Sequence, residues 1–378
     1  MSNIQRDVHI LGGGPAGLQV ARFLLKGYGG DVYVYEEHEK IGRPIHCTGL
    51  VSLEGLRKDI GIIDEKNLII NTFRGAIFFS PSGKKLIVGR PETVAVVVDR
   101  ERLEERLYEE VLSLGAHVKL GSHVNLADFS KLVRSKNNFG IVAGGAKYLD
   151  EDKKKHLLPA LQYDIKVKDS IGITTHVLIF MGEKFSNGLF AWAIPLGDET
   201  YKVGVATKGK TLVRMKYVLK TLERIGITPL HVIKTYGGTV YTGGLVKRLL
   251  RGNLLYIGDS AGQTKPTTGG GLVYLSIAAR LLASAIIRND PTLYEKNVKT
   301  TLGHETSLQF ALRKALNNLS DPELDEIFRT VKEMHGEELI SRIGSMDRQA
   351  FLIREIGFKY LFERPSLVFK LLSKVLLD

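Results

Sequence analysis

The glycine-rich segment near the N-terminus constrains the fold of this chain more than any other feature. Gly12, Gly14 and Gly17 form the pattern G-x-G-x-x-G directly after the apolar run VHIL. Apolar residues at helical spacing follow the glycines, and residues 32–35 then form a short run of valine and tyrosine, which is typical of a buried strand. The sequence therefore predicts a strand, a tight turn, a helix and a second strand, which together form a Rossmann-type βαβ unit.

The spacing of the three glycines suits a bound diphosphate. The first glycine permits a sharp turn, the second lets the backbone approach the ligand, and the third lets helix and strand pack closely. Free N–H groups at the helix N-terminus, next to Pro15 and Ala16, favour an anion. Glu36 ends the second strand, followed by Glu37, and a carboxylate there can accept hydrogen bonds from ribose hydroxyls. We predict a dinucleotide site, although this unit alone does not separate NAD from FAD. A glycine turn without a ligand is the alternative.

The remaining sequence predicts an α/β protein with more than one subdomain, as its 378 residues suggest. Strand-like alternation dominates residues 158–205, residues 76–90 resemble a hairpin, and the chain after residue 291 has helical periodicity. We predict a discontinuous nucleotide-binding domain from residues 1–75, 93–157 and 240–290, an inserted and mostly antiparallel β substrate domain from residues 76–92 and 158–239, and a C-terminal helical segment from residues 291–378.

The single cysteine, Cys47, excludes an internal disulfide, a cysteine-ligated iron–sulfur cluster and a cysteine-rich zinc site. We predict no metal site. The longest uncharged stretch, from Pro266 to Ala279, is shorter than the ~18 residues that a membrane span needs. We therefore expect a cytoplasmic protein whose contact with the membrane, if it has one, is peripheral on the cytoplasmic face.

Positive charge is concentrated in one part of the chain. The net charge is +12, and residues 208–251 hold ten lysines and arginines against one acid, Glu223. The helical stretch TLVRMKYVLKTLERIG within this segment is basic and amphipathic, so we predict that it docks on an anionic membrane surface. The alternative is that its apolar stripe packs on the β domain and its basic face is solvated. No nucleic-acid-binding motif accompanies the charge, so we predict no nucleic acid partner.

Three further segments resemble a known group of proteins. They are GRPIHCTGLVS at residues 42–52, GLFAWAIP at residues 188–195 and IGDSAGQTKPTTGGGL at residues 257–272. With the βαβ unit, they make the chain similar to flavoproteins of the p-hydroxybenzoate hydroxylase fold, and within them to the geranylgeranyl reductase family. The resemblance covers roughly residues 5 to 290 and rests on the order of the motifs.

The resemblance implies FAD as the cofactor and assigns residues to it. Four residues of the first segment would line the flavin: Arg43, His46, Cys47 and Gly49. Arg100 stands where the family keeps an arginine that contacts FAD, and Val124 falls on a strand that would hold the adenine through its backbone. In the third segment Gly258 and Asp259 would meet the ribityl chain, while Gly270, Gly271 and Leu272 would present backbone N–H groups to the pyrimidine end of the flavin.

The second segment resembles the family's aromatic substrate motif. Phe190, Trp192 and Pro195 would contact the substrate, and Cys47 would shape the substrate side of the flavin as the catalytic residue. Two features depart from the family pattern. Ile194 stands where phenylalanine is usual, and the family's middle Asp-Gly element appears here only as VAGGAKY, without its aspartate.

The function that this resemblance implies is reduction of C=C bonds in geranylgeranyl chains, in archaeal-type membrane lipid biosynthesis. The substrate would be an isoprenoid lipid or a prenyl pyrophosphate, and a separate donor (ferredoxin, a deazaflavin or NAD(P)H) would supply electrons. An FAD-dependent aromatic monooxygenase is an alternative, although the Cys47 segment and the Trp192 motif argue against it. An electron-transfer flavoprotein would need an iron–sulfur domain that one cysteine cannot build. A lipid-binding protein that keeps FAD only structurally is a further alternative.

Overall fold

A computed structural model describes residues 6–62, 65–135, 138–363 and 373–375. The strands of this part of the chain are β1 (Val8–Leu11), β2 (Val32–Tyr35), β3 (Leu50–Ser52), β4 (Ile69–Phe73), β5 (Gly75–Phe79), β6 (Lys85–Gly89), β7 (Ala95–Val98), β8 (His117–Lys119), β9 (Phe139–Val142), β10 (Leu157–Asp169), β11 (His176–Phe180), β12 (Ala191–Gly197), β13 (Thr200–Ala206), β14 (Ile227–Tyr241), β15 (Leu250–Arg251) and β16 (Leu254–Tyr256).

The α-helices are α1 (Pro15–Leu25), α2 (Leu53–Gly55), α3 (Arg100–Ser113), α4 (Leu126–Ser135), α5 (Glu151–Lys154), α6 (Thr211–Arg224), α7 (Leu272–Ile287), α8 (Thr292–Val298), α9 (His304–Asn317), α10 (Asp321–Glu333), α11 (Gly336–Ile343) and α12 (Ala350–Glu363). Short 3-10 turns cover Gly145–Tyr148 and Gly258–Ala261, and single π turns follow α2 and α8. No helix within the described ranges is long and apolar enough to cross a bilayer.

The first sheet is the predicted Rossmann-type core. Its six strands have the order β15-β16-β9-β1-β2-β8, and all neighbours are parallel except β15 and β16. The apolar residues of β1 are buried because helices cover the sheet, and α1 packs against α3 and α7. Asp99 caps α3 by accepting a hydrogen bond from the Arg102 N–H, which explains why the helix begins immediately after β7.

The second sheet has seven strands in the order β14-β10-β13-β12-β11-β5-β6, antiparallel except for the β5–β11 pair. Alternation along β10 gives its two faces different partners. Ile165 belongs to the core beneath α6, together with Met215 and Leu222 of that helix, whereas Gln162 lies on the opposite face. The fold is therefore a mixed α/β architecture with a mostly antiparallel second sheet, as the sequence predicted.

The strands of a three-stranded sheet, β3-β7-β4, lie in the chain between strands of the two larger sheets, and β3 begins shortly after Cys47. The C-terminal helices cover the β5–β6 hairpin, where Leu86 packs with Leu324 and Phe328 of α10. Helices α8 to α12 confirm the predicted helical character of this region. Residues 364–372 and 376–378 of the predicted helical segment lie outside the described residues.

One local prediction was wrong. Val124 does not lie on a strand: β8 ends at Lys119, Gly121 turns the chain with a φ of 61°, and Asn125 then starts α4 by bonding to Asp128. The apolar residues of α6 are divided between the sheet and the solvent. Met215, Val218 and Leu222 are buried against the seven-stranded sheet, whereas Leu212 and Val213 near the start of the helix are exposed.

Candidate functional site

One cavity of about 1400 Å³ connects the glycine loop, the Cys47 segment, the seven-stranded sheet and the C-terminal helices. This volume exceeds the roughly 300–1,000 Å³ of a typical small-molecule site. The following predicted residues line it: Gly12, Gly14, Pro15, Ala16, Glu36, Glu37, Arg43, His46, Cys47, Arg100, Val124, Phe190, Trp192, Gly258, Asp259, Gly270, Gly271 and Leu272. Gly17, Gly49 and Pro195 are not among its lining residues.

The glycine loop forms an open cradle at one end of this cavity. Gly12 has a φ of 110°, and a Cβ there would lie 2.7 Å from the Ala143 carbonyl oxygen. A Cβ at Gly17 would lie 2.0 Å from the Gly12 carbonyl oxygen, so helix and loop could not pack as they do. A Cβ at Gly14 would meet no atom within 4 Å, because that position faces the cavity. The loop thus leaves room for a ligand at the N-terminus of α1.

Glu36 follows β2 and lies against the glycine loop. Its carboxylate accepts hydrogen bonds from the Gly13 N–H at 2.7 Å and from the His38 N–H at 2.9 Å. Glu37 pairs with Lys147 at 3.1 Å, and the hydrogen bond from Lys147 lowers the pKa of Glu37. The carboxylate of Glu36 is therefore held against the glycine loop directly after β2. Lys147 belongs to VAGGAKY, which had drawn attention in the sequence only for its missing aspartate.

Arg100 and Asp259 form the charged centre of the cavity wall. Arg100, largely buried at the start of α3, pairs with Glu104. Burial opposes the charge on Arg100, but Cys47 and Glu104 raise its pKa overall. Burial raises the pKa of Asp259, and the charge of Arg100 partly offsets that effect. A Cβ at Gly271 would lie 3.6 Å from Asp259 Oδ1, so this carboxyl group stands close to the N-terminus of α7.

The segment before β3 crosses from the first sheet to the second. His46 Nδ1 lies 2.6 Å from the Gly237 carbonyl oxygen of β14, while Arg43 makes a two-point ion pair with Glu101, its Nε 2.7 Å from Oε1. The Cys47 side chain is exposed to the cavity, and its sulfur accepts a bond from the Gly49 N–H at 3.4 Å. The structure thus places Cys47 at the cavity surface, whereas the Arg43 guanidinium is engaged by α3.

The predicted substrate motif lies on β12 and just before it. The rings of Phe190 and Trp192 meet edge to face with centroids 6.1 Å apart, and both line the cavity. The indole lies flat on the sheet because its neighbour is Gly204, where a Cβ would come within 2.3 Å of the ring. Ile194 lines the cavity on the same face. Pro195 alternates to the opposite face, so we do not expect its side chain to contact a ligand.

The far end of the cavity is apolar and is formed by the C-terminal helices. Its lining includes Leu308, Leu312, Leu316, Phe328, Ile353 and Ile356. These residues fall in the segment that the sequence predicted only as helical, with no assigned role. The signal was present in the periodic apolar residues, but periodicity does not distinguish a face that packs on a core from a face that lines a cavity.

Three charged or polar groups of the site were missed in the sequence. Lys265 is buried and pairs with Asp347 at 2.8 Å, which ties the glycine-rich segment 257–272 to the loop between α11 and α12. Arg313 on α9 is buried, donates to carbonyl oxygens of Leu189, Pro266 and Thr267, and has its pKa lowered to about 10 by burial. Gln162 on β10 is the third. Of the three, only Lys265 could have been recognised in the sequence, because it is a cation inside the glycine-rich segment 257–272.

The hydrogen-bonding groups that line the cavity fit a dinucleotide that carries hydroxyl groups and a ring system. Two buried donors in the cavity wall, Arg100 Nε and Gln162 Nε2, have no hydrogen-bond partner among the described residues. The open cradle at Gly14, the carboxylate of Glu36 and the carboxyl group of Asp259 offer the remaining contacts that such a ligand needs.

Comparison with known proteins identifies relatives over the full length of the fold. No family model matches the chain. A digeranylgeranylglycerophospholipid reductase of Methanocaldococcus jannaschii is 27% identical, with 96% of each chain covered. The chain is similar to this reductase over almost its whole length. The resemblance drawn from its motifs is thereby confirmed.

Solved structures show the same fold. A geranylgeranyl bacteriochlorophyll reductase-like protein of Thermoplasma acidophilum superposes with a TM-score of 0.78 at 19% identity, covering 98% of this chain and 99% of that one. The flavin-dependent brominase Bmp2 superposes with a TM-score of 0.65 at 13% identity, covering 95% of this chain and 100% of that one. The architecture is therefore shared by reductase-like and halogenase proteins.

Proposed function

We propose that this protein is an FAD-dependent reductase that saturates C=C bonds of geranylgeranyl chains, in the synthesis of archaeal-type membrane lipids. One observation carries the proposal. A single cavity joins the open cradle at Gly14 to apolar residues that include Phe190, Phe328 and Ile353, and Cys47 lines the same cavity. A hydrocarbon chain that enters the apolar end would meet a cofactor held at the other. The names of the reductase relatives support the same substrate class.

The cofactor would supply a hydride from its reduced ring. The chain itself would bind the diphosphate at the N-terminus of α1, accept ribose hydroxyls at Glu36 and contact the ribityl chain at Asp259. An isolated alkene is a poor hydride acceptor, so catalysis depends on holding it face to face with the ring. The apolar wall would provide this positioning and exclude water, while Cys47 would shape the space above the ring.

The substrate class follows from the character of the wall. The cavity presents far more apolar than polar surface, as a prenyl chain requires. We propose an isoprenoid lipid or prenyl pyrophosphate as the substrate. The sequence contains no second dinucleotide fingerprint beyond residues 12–17, so we propose that the electrons come from a separate donor, for which ferredoxin, a deazaflavin and NAD(P)H are the candidates.

The decisive experiment uses the purified full-length protein. Its visible spectrum tests for bound flavin, and anaerobic chemical reduction in the presence of a geranylgeranyl lipid, followed by mass analysis, tests for added hydrogen. We expect a flavin spectrum and products heavier by two hydrogens for each bond reduced. Flavin without any mass increase would reject the reductase, and hydroxylation of an aromatic compound with NAD(P)H and oxygen would establish the monooxygenase instead.

A further inference from the structure

Gln162 holds the only direct hydrogen-bonded link, among the described residues, between the Cys47 segment and the Trp192 motif. Its Oε1 accepts a hydrogen bond from Thr48 Oγ1 at 2.9 Å and another from Trp192 Nε1 at 3.1 Å. The side chain is 3% exposed and lines the cavity. One amide oxygen thus fixes the position of the residue after Cys47 and of the only tryptophan in the chain.

The orientation of this amide is determined by its partners. An indole nitrogen can only donate a hydrogen bond, so the oxygen of the amide, and not its nitrogen, must face Trp192. Rotating the amide by half a turn would place its NH2 group against the N–H of the Trp192 indole, so that two donors would face each other. The NH2 group must therefore point away from both partners. It has no acceptor among the described residues, although buried amide groups are almost always hydrogen-bonded.

Because Gln162 lines the cavity, a bound ligand can supply the acceptor that its NH2 group lacks within the described part of the chain. The alkene portion of a prenyl chain carries no hydrogen-bond acceptor. The edge of a flavin ring carries carbonyl oxygens and a ring nitrogen, and we have proposed that the ring lies beside Cys47, next to the Thr48 that Gln162 holds. We infer that Gln162 Nε2 donates a hydrogen bond to the edge of the bound flavin ring, so that one side chain positions the ring and the Trp192 wall together. This inference rests on the proposed function.

Two substitutions test the inference without depending on turnover. Gln162→Met removes the donor and nearly keeps the volume. Gln162→Glu keeps an oxygen for Thr48 and Trp192 but replaces the NH2 group, and measurements over a range of pH separate its carboxylate form, which cannot donate a hydrogen bond, from its protonated form, which can. Both variants should bind FAD more weakly. Because a donor stabilises the electron-rich reduced ring, both should also lower the midpoint potential of the flavin, and a tenfold change in that equilibrium equals about 30 mV for two electrons.

The matched control is Gln19→Met. Gln19 is equally buried on α1, donates to the Ile60 carbonyl oxygen at 3.0 Å and is not among the cavity-lining residues, so its loss should leave the potential unchanged. Circular dichroism and thermal unfolding identify which variants are folded. If Gln162→Met does not fold, the test rests on Gln162→Glu.

A folded Gln162 variant with the FAD affinity, flavin spectrum and potential of the unchanged protein overturns the inference. A change confined to the KM for the lipid overturns it as well, because the donor then meets the substrate and not the flavin. Failure of the unchanged protein to bind FAD is a different result, which rejects the proposed function itself.

Discussion

Gly14 and Gly17 test the glycine loop at the scale of single residues. A valine at Gly14 should prevent cofactor binding, whereas a valine at Gly17 should prevent folding. A side chain at Gly14 would enter the cavity without touching the protein, whereas one at Gly17 would collide with the Gly12 carbonyl oxygen. We expect Gly14→Val to fold, with the free energy of unfolding changed by no more than about 1 kcal/mol, and to be colourless. Gly17→Val should lose the fold. A yellow Gly14→Val protein with full flavin occupancy would contradict the assignment of this loop.

The carboxylate of Asp259 should favour FAD binding but lower the stability of the ligand-free folded protein. Its pKa in the folded protein is raised, mainly by burial, so the folded state holds the proton more tightly than the unfolded state. The contribution of Asp259 to stability is then full at pH values below its unfolded pKa and is lost as the pH rises through the folded pKa. Ligand-free Asp259→Asn should therefore gain more thermal stability at neutral pH than at about pH 4.

The same substitution should weaken FAD binding roughly tenfold to a hundredfold, because a hydrogen bond to a charged group contributes about 1.5–3 kcal/mol. Melting curves of the ligand-free protein at the two pH values and FAD titration measure the two effects. Equal gains in stability at both pH values would show that the charge of Asp259 is not what burial opposes.

Cys47 should matter for turnover more than for cofactor binding. Its side chain faces the cavity, accepts a local bond from the Gly49 N–H and interacts with Arg100 at the start of α3. We expect Cys47→Ala to keep FAD but to lose most of its turnover, or to change how many double bonds are reduced. Mass analysis of the lipid products measures both. The unchanged protein's rate and product pattern in this variant would leave Cys47 with only a structural role.

Residue-level prediction succeeded where neighbours in the sequence are neighbours in space. Glu36 lies 2.7 Å from the Gly13 N–H within one βαβ unit, so its position follows from local geometry. Lys265 and Gln162 could not be placed in this way. The partner of Lys265 is 82 residues away, and the partners of Gln162 are 114 and 30 residues away, so nothing local in the sequence records these contacts.

At the scale of elements, α6 shows why an amphipathic pattern does not identify its partner. Met215 and Leu222 pack on the seven-stranded sheet, and a lipid surface would have selected the same spacing. The boundaries of the helix were predicted well because Gly209 and Gly226, both with positive φ, bracket it. Its environment could not be predicted, because the sheet that covers it is assembled from strands before and after it in the chain.

The surface that α6 offers to a membrane consists of its basic residues together with Leu212 and Val213, which are exposed. We expect binding to anionic but not to neutral vesicles, lost at high salt because such attraction is screened within ~8 Å at physiological ionic strength. Arg214→Glu with Lys220→Glu should weaken it. Lys58→Glu with Lys131→Glu changes the net charge equally at two exposed sites elsewhere and should weaken binding less. Co-sedimentation measures each variant, and equal binding to neutral vesicles would rule out an electrostatic dock.

At the scale of the whole molecule, the length of the cavity should limit the length of the substrate. Ala311 on α9 lines its apolar end, far along the chain from the glycine loop. We expect Ala311→Trp to retain FAD and its spectrum but to lose most activity on a geranylgeranyl chain, while a shorter prenyl chain is still reduced. Ala311→Val, a smaller enlargement, is the graded control. Equal activity of the tryptophan variant on both chains would place the substrate elsewhere.

The overall architecture was predictable because its two sheets follow different periodicities. Buried runs such as VHIL indicate parallel strands, and the alternation in β10 indicates a sheet with two unlike faces. The apolar end of the cavity was not predictable, because it forms only where helices after residue 291 meet a hairpin near residue 86. The motifs therefore indicated the nucleotide end of the site, and the helices that complete the other end gave no motif.

The strand order of the first sheet has a consequence for how the chain is made. β1 lies beside β9, and β9 lies beside β16, so neighbours in the sheet leave the ribosome far apart in time. Until β16 emerges, the newly made chain carries β9 with an unpaired edge, and such edges invite aggregation. The loop that holds Lys265 through Asp347 is made later still. A chain under synthesis thus lacks the Lys265–Asp347 contact in the cavity wall until residue 347 has been made.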